Sequence, residues 1–146
     1  MPVNPTQEQL AAIAAVAGSA DDRPVIMLNL NTYRERAAYE GEPPGGVSAD
    51  VGGREAYERY AAVAQRVLAR EGGRILWHTR SPGLAIGAPG EGCDDVIAVE
   101  YPSHAAFLAL ALDPEILPAL AHRSAGLERA VIIRCEPGLG DALPPA

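Results

Sequence analysis

Residues 94–123 read DDVIAVEYPSHAAFLALALDPEILPALAHR. Positions 96–101 form an apolar, β-branched run, the pattern of a buried strand. Pro102 stops that run, and Ser103 is a residue type that caps helix N-termini. The helix that follows carries Phe107, Leu108 and Ala111 inward. Asp113-Pro114 breaks it, and a further helical stretch runs to Leu127. Downstream, 131–135 predicts a last strand before a Gly/Pro-rich tail at 137–146.

Upstream the same reading continues. Residues 74–80 alternate as a strand, with Ile75 and Trp77 on one face and Leu76, His78 and Arg80 on the other. Residues 81–92 are turn-rich, with 84–86 as a short edge strand. Tyr57, Tyr60, Ala61, Ala64, Val67 and Leu68 recur at helical spacing over 54–71, and Gly72-Gly73 supplies a left-handed C-cap. Residues 32–53 are a long Gly/Pro/Glu-rich connection, read as a lid or a solvated insertion around one helical turn at 34–39. Strand one covers 25–31, where Ile26, Leu28 and Leu30 alternate with Met27, Asn29 and Asn31. Thr6 and Gln9 fit a capping box for a first helix that Gly18 ends.

Residues 1–20 therefore form an N-terminal helix packed on a domain at 24–136. The order within that domain is β-α-β-β-α-β, the α+β pattern of a ferredoxin-like sandwich with helices on one sheet face. The alternation gathers Asn29, Asn31, His78, Arg80, Glu100 and Arg134 on the other face, together with Met27, Leu76, Val96, Ala98 and Ile132. So many apolar groups seldom stay exposed, which predicts a homodimer stacked on that face.

Composition excludes several classes. The chain has 146 residues, a net charge of −7, and twelve basic residues that are all Arg. An acidic chain without a basic cluster argues against nucleic acid and against anionic membranes. No apolar run is long enough to span a bilayer and no signal peptide is evident, so the expected location is cytoplasmic. Cys93 and Cys135 make neither a disulfide framework nor a metal motif. His78, His104 and His122 with Asp94 and Asp95 are the conceivable metal ligands, but no two of the histidines have the spacing of a metal site, and no phosphate loop or dinucleotide fingerprint is present. No metal and no cofactor are expected.

Several short motifs together resemble one family. They are Asn29-Leu30 on strand one, Tyr57 and Tyr60 as Y-x-x-Y, Gly72-Gly73-Arg74, Tyr101-Pro102-Ser103 with Ala106-Phe107, Asp113-Pro114-Glu115, and His122-Arg123. The set is similar to the domain-of-unknown-function 1330 family over about 24–136. The resemblance implies a dimeric α+β barrel, a superfold shared with cofactor-free monooxygenases, polyketide cyclases, haem-degrading enzymes and stress-response dimers. It implies no reaction. Cys93 stands where the family pattern suggests an aromatic residue, and the 32–53 connection is an elaboration.

The candidate chemistry centres on His78, a residue able to move protons near neutral pH. Glu100 is its expected orienter, and Arg80 with Asn29 the partners of a developing oxyanion or carbonyl. Asn29, Asn31, Tyr60, Trp77, Tyr101, His122 and Arg123 are the candidate substrate contacts. The expected activity is cofactor-independent acid–base chemistry (cyclisation, isomerisation or elimination) on a polar or aromatic biosynthetic intermediate held between sheet and helices. The alternatives are a cofactor-free oxygenase of an aromatic substrate, and a non-catalytic binding or dimerisation module.

Overall fold

In the computed structural model, which describes residues 3–138, the chain starts with a reciprocal cap. Thr6 Oγ1 accepts from the Gln9 amide at 3.1 Å, and Gln9 Oε1 accepts from the Thr6 amide at 2.8 Å. Helix α1 (Gln7–Val16) follows and buries Ile13 alone, a narrower contact than its apolar stripe suggests. Its anchor is Asp22 in the turn beyond. That carboxylate accepts from the amides of Gly18, His104 and Ala105, and from His104 Nδ1 at 3.0 Å. It thereby ties the α1 turn to the start of α3 (His104–Ala111), whose other cap is Ser103.

Four strands form one sheet: β1 (Val25–Tyr33), β2 (Arg74–Arg80), β3 (Asp95–Tyr101) and β4 (Leu127–Cys135), in the order β2-β3-β1-β4 with every pair antiparallel. With α2 (Gly53–Arg70), α3 and α4 (Ile116–Gly126) this is the expected ferredoxin-like βαββαβ arrangement. Gly72, at φ 79°, ends α2 in the left-handed conformation its sequence predicts. Strands β1, β3 and β4 are longer than the sequence pattern indicates, and 84–86 is not a strand.

The assignment of sheet faces is reversed for β1. Val25, Met27 and Asn31 lie under the helices, where Val25 and Met27 join Val67, Leu68, Tyr101, Leu110 and Ile116 in the core. Burying each such aliphatic side chain contributes about 1.5–3 kcal/mol. The oily triplet Ile26, Leu28 and Leu30 faces the helix-free side. There it shares register with Glu100, Ala98 and Val96 of β3 and with Cys135, Ile133 and Val131 of β4. Both faces of β1 carry apolar residues, so alternation alone does not say which is inside.

The 32–53 connection contains no helical turn at 34–39; its one regular element is a 3-10 turn at Pro44–Gly46. It is fastened along its length. Ala37 and Ala38 bond to Val51 and Ala125, Arg59 donates to Ser48 O at 2.7 Å, and Arg36 pairs with Asp50. Backbones meet closely where it ends. Arg34 N donates to Gly126 O at 2.8 Å, Gly53 N to Arg34 O at 3.1 Å, and a Cβ on Gly53 would sit 2.6 Å from Gly126 O. This junction lays the first turn of α2 across the end of β1.

Candidate functional site

That placement brings Arg54 onto Asp95, the first residue of β3. Asp94 helps fix the corner: its amide donates to Asn31 O and its carboxylate accepts from the Tyr33 amide, both at 2.8 Å. Asp95 is fully buried. Its Oδ2 accepts from Arg54 at 2.6 Å, from the Tyr33 hydroxyl at 3.0 Å and from His78 Nε2 at 2.7 Å. Burial pushes a carboxyl pKa up, but the hydrogen bonds from Arg54, His78 and Tyr33 outweigh it and hold Asp95 below its ordinary value. The group is a carboxylate, so His78 Nε2 donates to it, which leaves Nδ1 as the nitrogen able to act as a base. Burial first, then the Asp95 charge, drives the Tyr33 phenol upward, which keeps it a donor. The Arg54 guanidinium lies 4.6 Å from the centre of the Tyr33 ring.

A β-bulge aims His78 at this carboxylate. Ile75 pairs with Val99 while Trp77 pairs with Ala98, so Leu76 is the extra residue and the alternation slips by one. Ile75 and His78 then share the helix-covered face, and Trp77 turns to the opposite one, half exposed. In an unbroken strand Trp77 would oppose Ile97 and His78 would point away from Asp95.

His78 and Asp95 stand at one end of a cavity of about 370 Å³ between the sheet and α2. Alternate residues of β3 line it, namely Asp95, Ile97, Val99 and Tyr101, facing Tyr57, Tyr60, Ala61, Ala64 and Leu68 of α2. Asn29 reaches it from β1, with Nδ2 donating to Met27 O at 3.0 Å. Two buried polar atoms at the dyad end have no hydrogen-bond partner: Asn31 Nδ2 and Asp95 Oδ1. They belong to directly opposed residues of β1 and β3. Buried groups of this kind are rare and costly, and they mark a place held in tension with packing.

Of the expected site residues, the fold brings together His78, Asn29, Tyr60 and Tyr101, with Asn31 immediately behind. Glu100 is not the orienter of His78. It lies on the other sheet face, where it pairs with Arg74 at 3.1 Å. Arg80 is exposed beyond the cavity and lines no part of it, and Trp77 is excluded by the bulge. His122 and Arg123 are also elsewhere. His122 Nδ1 meets the Tyr39 hydroxyl at 2.7 Å, and burial, then the nearby Arg59 charge, lowers its pKa. Arg123 donates to Val3 O at 2.6 Å, holding the N-terminal segment. The residues the sequence did not single out as the site are Asp95, Tyr33 and Arg54. Their signal was the Asp94-Asp95 pair at the head of a buried strand, since an acidic residue there needs partners. Among the described residues no group of three or more His, Cys, Asp or Glu side chains is placed to hold a metal.

A family model described as Domain of unknown function (DUF1330) matches residues 47–135, which span Arg54, His78, Asp95 and the cavity-lining part of α2. The chain belongs to the DUF1330 family. Its methylated relative RPA0582 is 36% identical with a TM-score of 0.80, covering 96% of this chain and 98% of that one. RPA0582 of Rhodopseudomonas palustris, described as a protein of unknown function, gives 35% identity and a TM-score of 0.79, covering 94% and 98%. A hydroxynitrile lyase from Passiflora edulis is a more remote likeness, at 14% identity and a TM-score of 0.49, covering 84% and 98%. No curated protein matches the DUF1330 chain.

Proposed function

We propose that this DUF1330 protein is a cofactor-independent acid–base enzyme acting on a small neutral molecule bound between sheet and α2. The observation that carries the reading is the 2.7 Å contact between His78 Nε2, on a half-exposed ring, and the buried Asp95 carboxylate at one end of an open-sided, tyrosine-rich cavity. Asp95 fixes the ring and its tautomer and stabilises the imidazolium that forms when Nδ1 takes a proton. Nδ1 then removes a proton from carbon or oxygen beside a substrate carbonyl and returns it elsewhere on the same molecule. That step serves isomerisation and cyclisation; in an elimination the bond to the leaving group breaks and the proton goes to that departing group instead. Arg54 and Tyr33 touch Asp95 and act through it, as positioning residues.

The test is hydrogen–deuterium exchange at the α-carbon of 4-phenylcyclohexanone, a neutral ketone of suitable size, followed by NMR in D₂O. The protein should accelerate exchange, and His78→Ala should remove about 10²–10⁴-fold of that acceleration. Exchange that is indifferent to His78 would overturn the reading.

We further propose that two copies stack through their helix-free sheet faces. Trp77 and Ile133 are exposed there and Leu28, Leu30 and Val96 are partly so, and an apolar face of this extent ordinarily has a partner.

A further inference from the structure

The polarity of the cavity changes along its length, and that gradient bears on what enters it. Asp95 and Tyr101 both line it and are six residues apart on one strand, so its ends are separated by about 20 Å of β3. Between them the walls are mainly apolar, with Ile97, Val99, Ile75 and Leu68, and Asn29 beside Ile97 and Gln65 on α2 are the polar exceptions. Tyr101 stands at the far end, and Tyr60 on α2, its ring 5.5 Å from that of Tyr57, lines the same cavity. Tyr101 is only 6% exposed, and both belong to or pack against the core. Within the protein, tyrosine hydroxyl hydrogen bonds are made by Tyr33 and Tyr39, and Tyr57 has the Asn31 amide beside it. The hydroxyls of Tyr60 and Tyr101 have no partner among the described residues.

Two largely buried phenols are therefore left with hydrogen-bonding capacity facing one cavity. Burial pushes the Tyr60 phenol up to about 12 and that of Tyr101 upward as well, so both remain neutral donors. The lining includes no Arg or Lys, whereas it does include Asp95, held as a carboxylate, and Glu58. With Arg54 already paired to Asp95, an anionic ligand would find no unpaired Arg or Lys in the lining to hold it.

We infer that the cavity takes a neutral, elongated, mainly apolar molecule with a hydroxyl or carbonyl oxygen at the end remote from His78, held by the Tyr60 and Tyr101 hydroxyls. The inference rests on reading this cavity as the substrate site and adds the class of substrate.

Three probes of one shape test it by isothermal titration calorimetry: 4-phenylphenol, biphenyl and biphenyl-4-carboxylate. The phenol should bind tightest. Tyr101→Phe and Tyr60→Phe should each weaken it about 3–10-fold, as the loss of one hydrogen bond does, and leave biphenyl unchanged. Phenol binding that both Tyr→Phe variants retain, or tighter binding of the carboxylate, would overturn the inference. So would the absence of binding to the unaltered protein. If phenol binding depends on Tyr60 and Tyr101 while ketone exchange proves independent of His78, the substrate class stands and the catalytic reading alone fails.

Discussion

At the scale of single residues, Asp95 decides most. A fully buried carboxylate is tolerable because Arg54, Tyr33 and His78 all donate to one of its oxygens. Asp95→Ala leaves Arg54 without its partner and should cost about 3 kcal/mol in urea denaturation, since the guanidinium is partly shielded. Asp95→Asn should keep the fold and lose ketone exchange, because an amide no longer fixes the imidazole. The sign of the pH effect follows from the depressed pKa of Asp95. Its contribution is fully present above the ordinary carboxyl range and drains away as pH falls below that range, until the folded form takes up the proton. Urea midpoints measured across that range should fall in the unaltered protein and fall less in Asp95→Asn. An equal fall in both would assign the acid limb to other carboxylates, with Asp22 the foremost, since the amides of His104, Gly18 and Ala105 hold it low against the opposing effect of burial.

At the scale of elements, what was legible in the sequence was local, and what was not depended on register. Thr6 with Gln9, Ser103 with Ala106, and Gly72 each announce a helix end because the cap is made within three or four residues. The βαββαβ order follows from those ends and from the Val/Ile runs. The bulge at Leu76 left no trace, because one inserted residue changes no composition and reverses the direction of His78 and Trp77. The same limit hid Asp95. Its partners come from β1, α2 and β2, and no spacing in the chain joins Tyr33, Arg54 and His78. Glu100 was the wrong carboxylate for a related reason: it opposes Arg74 at the other end of β2, and the slip puts it on the opposite face from His78. The α2–α4 junction is a prediction of its own. A Cβ on Gly126 would press on Gly53 O and lie 2.8 Å from Tyr57 N. Gly126→Ala should therefore destabilise by about 1–3 kcal/mol in thermal or urea unfolding and displace Arg54 from Asp95.

At the scale of the whole molecule, one sheet serves two purposes. Its helix-covered face carries the cavity, and its other face is the apolar surface of Ile26, Leu28, Leu30 and Trp77. Leu28→Asp places a charge in the middle of that surface without touching the cavity. Sedimentation velocity should then give a monomer where the unaltered protein gives a dimer; a monomer in both would refute the stacking. No single helix among the described residues is long and apolar enough to cross a membrane. The central claim is narrower than any of these: His78 is a base whose Nε2–H is held by Asp95 and whose Nδ1 takes the substrate proton. The most direct measurement is a ¹⁵N-resolved NMR spectrum of the imidazole nitrogens of His78, His104 and His122 at a pH where the rings are neutral. The account predicts the Nε2–H form for His78, lost to a tautomer mixture in Asp95→Asn. An Nδ1–H ring in the unaltered protein would contradict it.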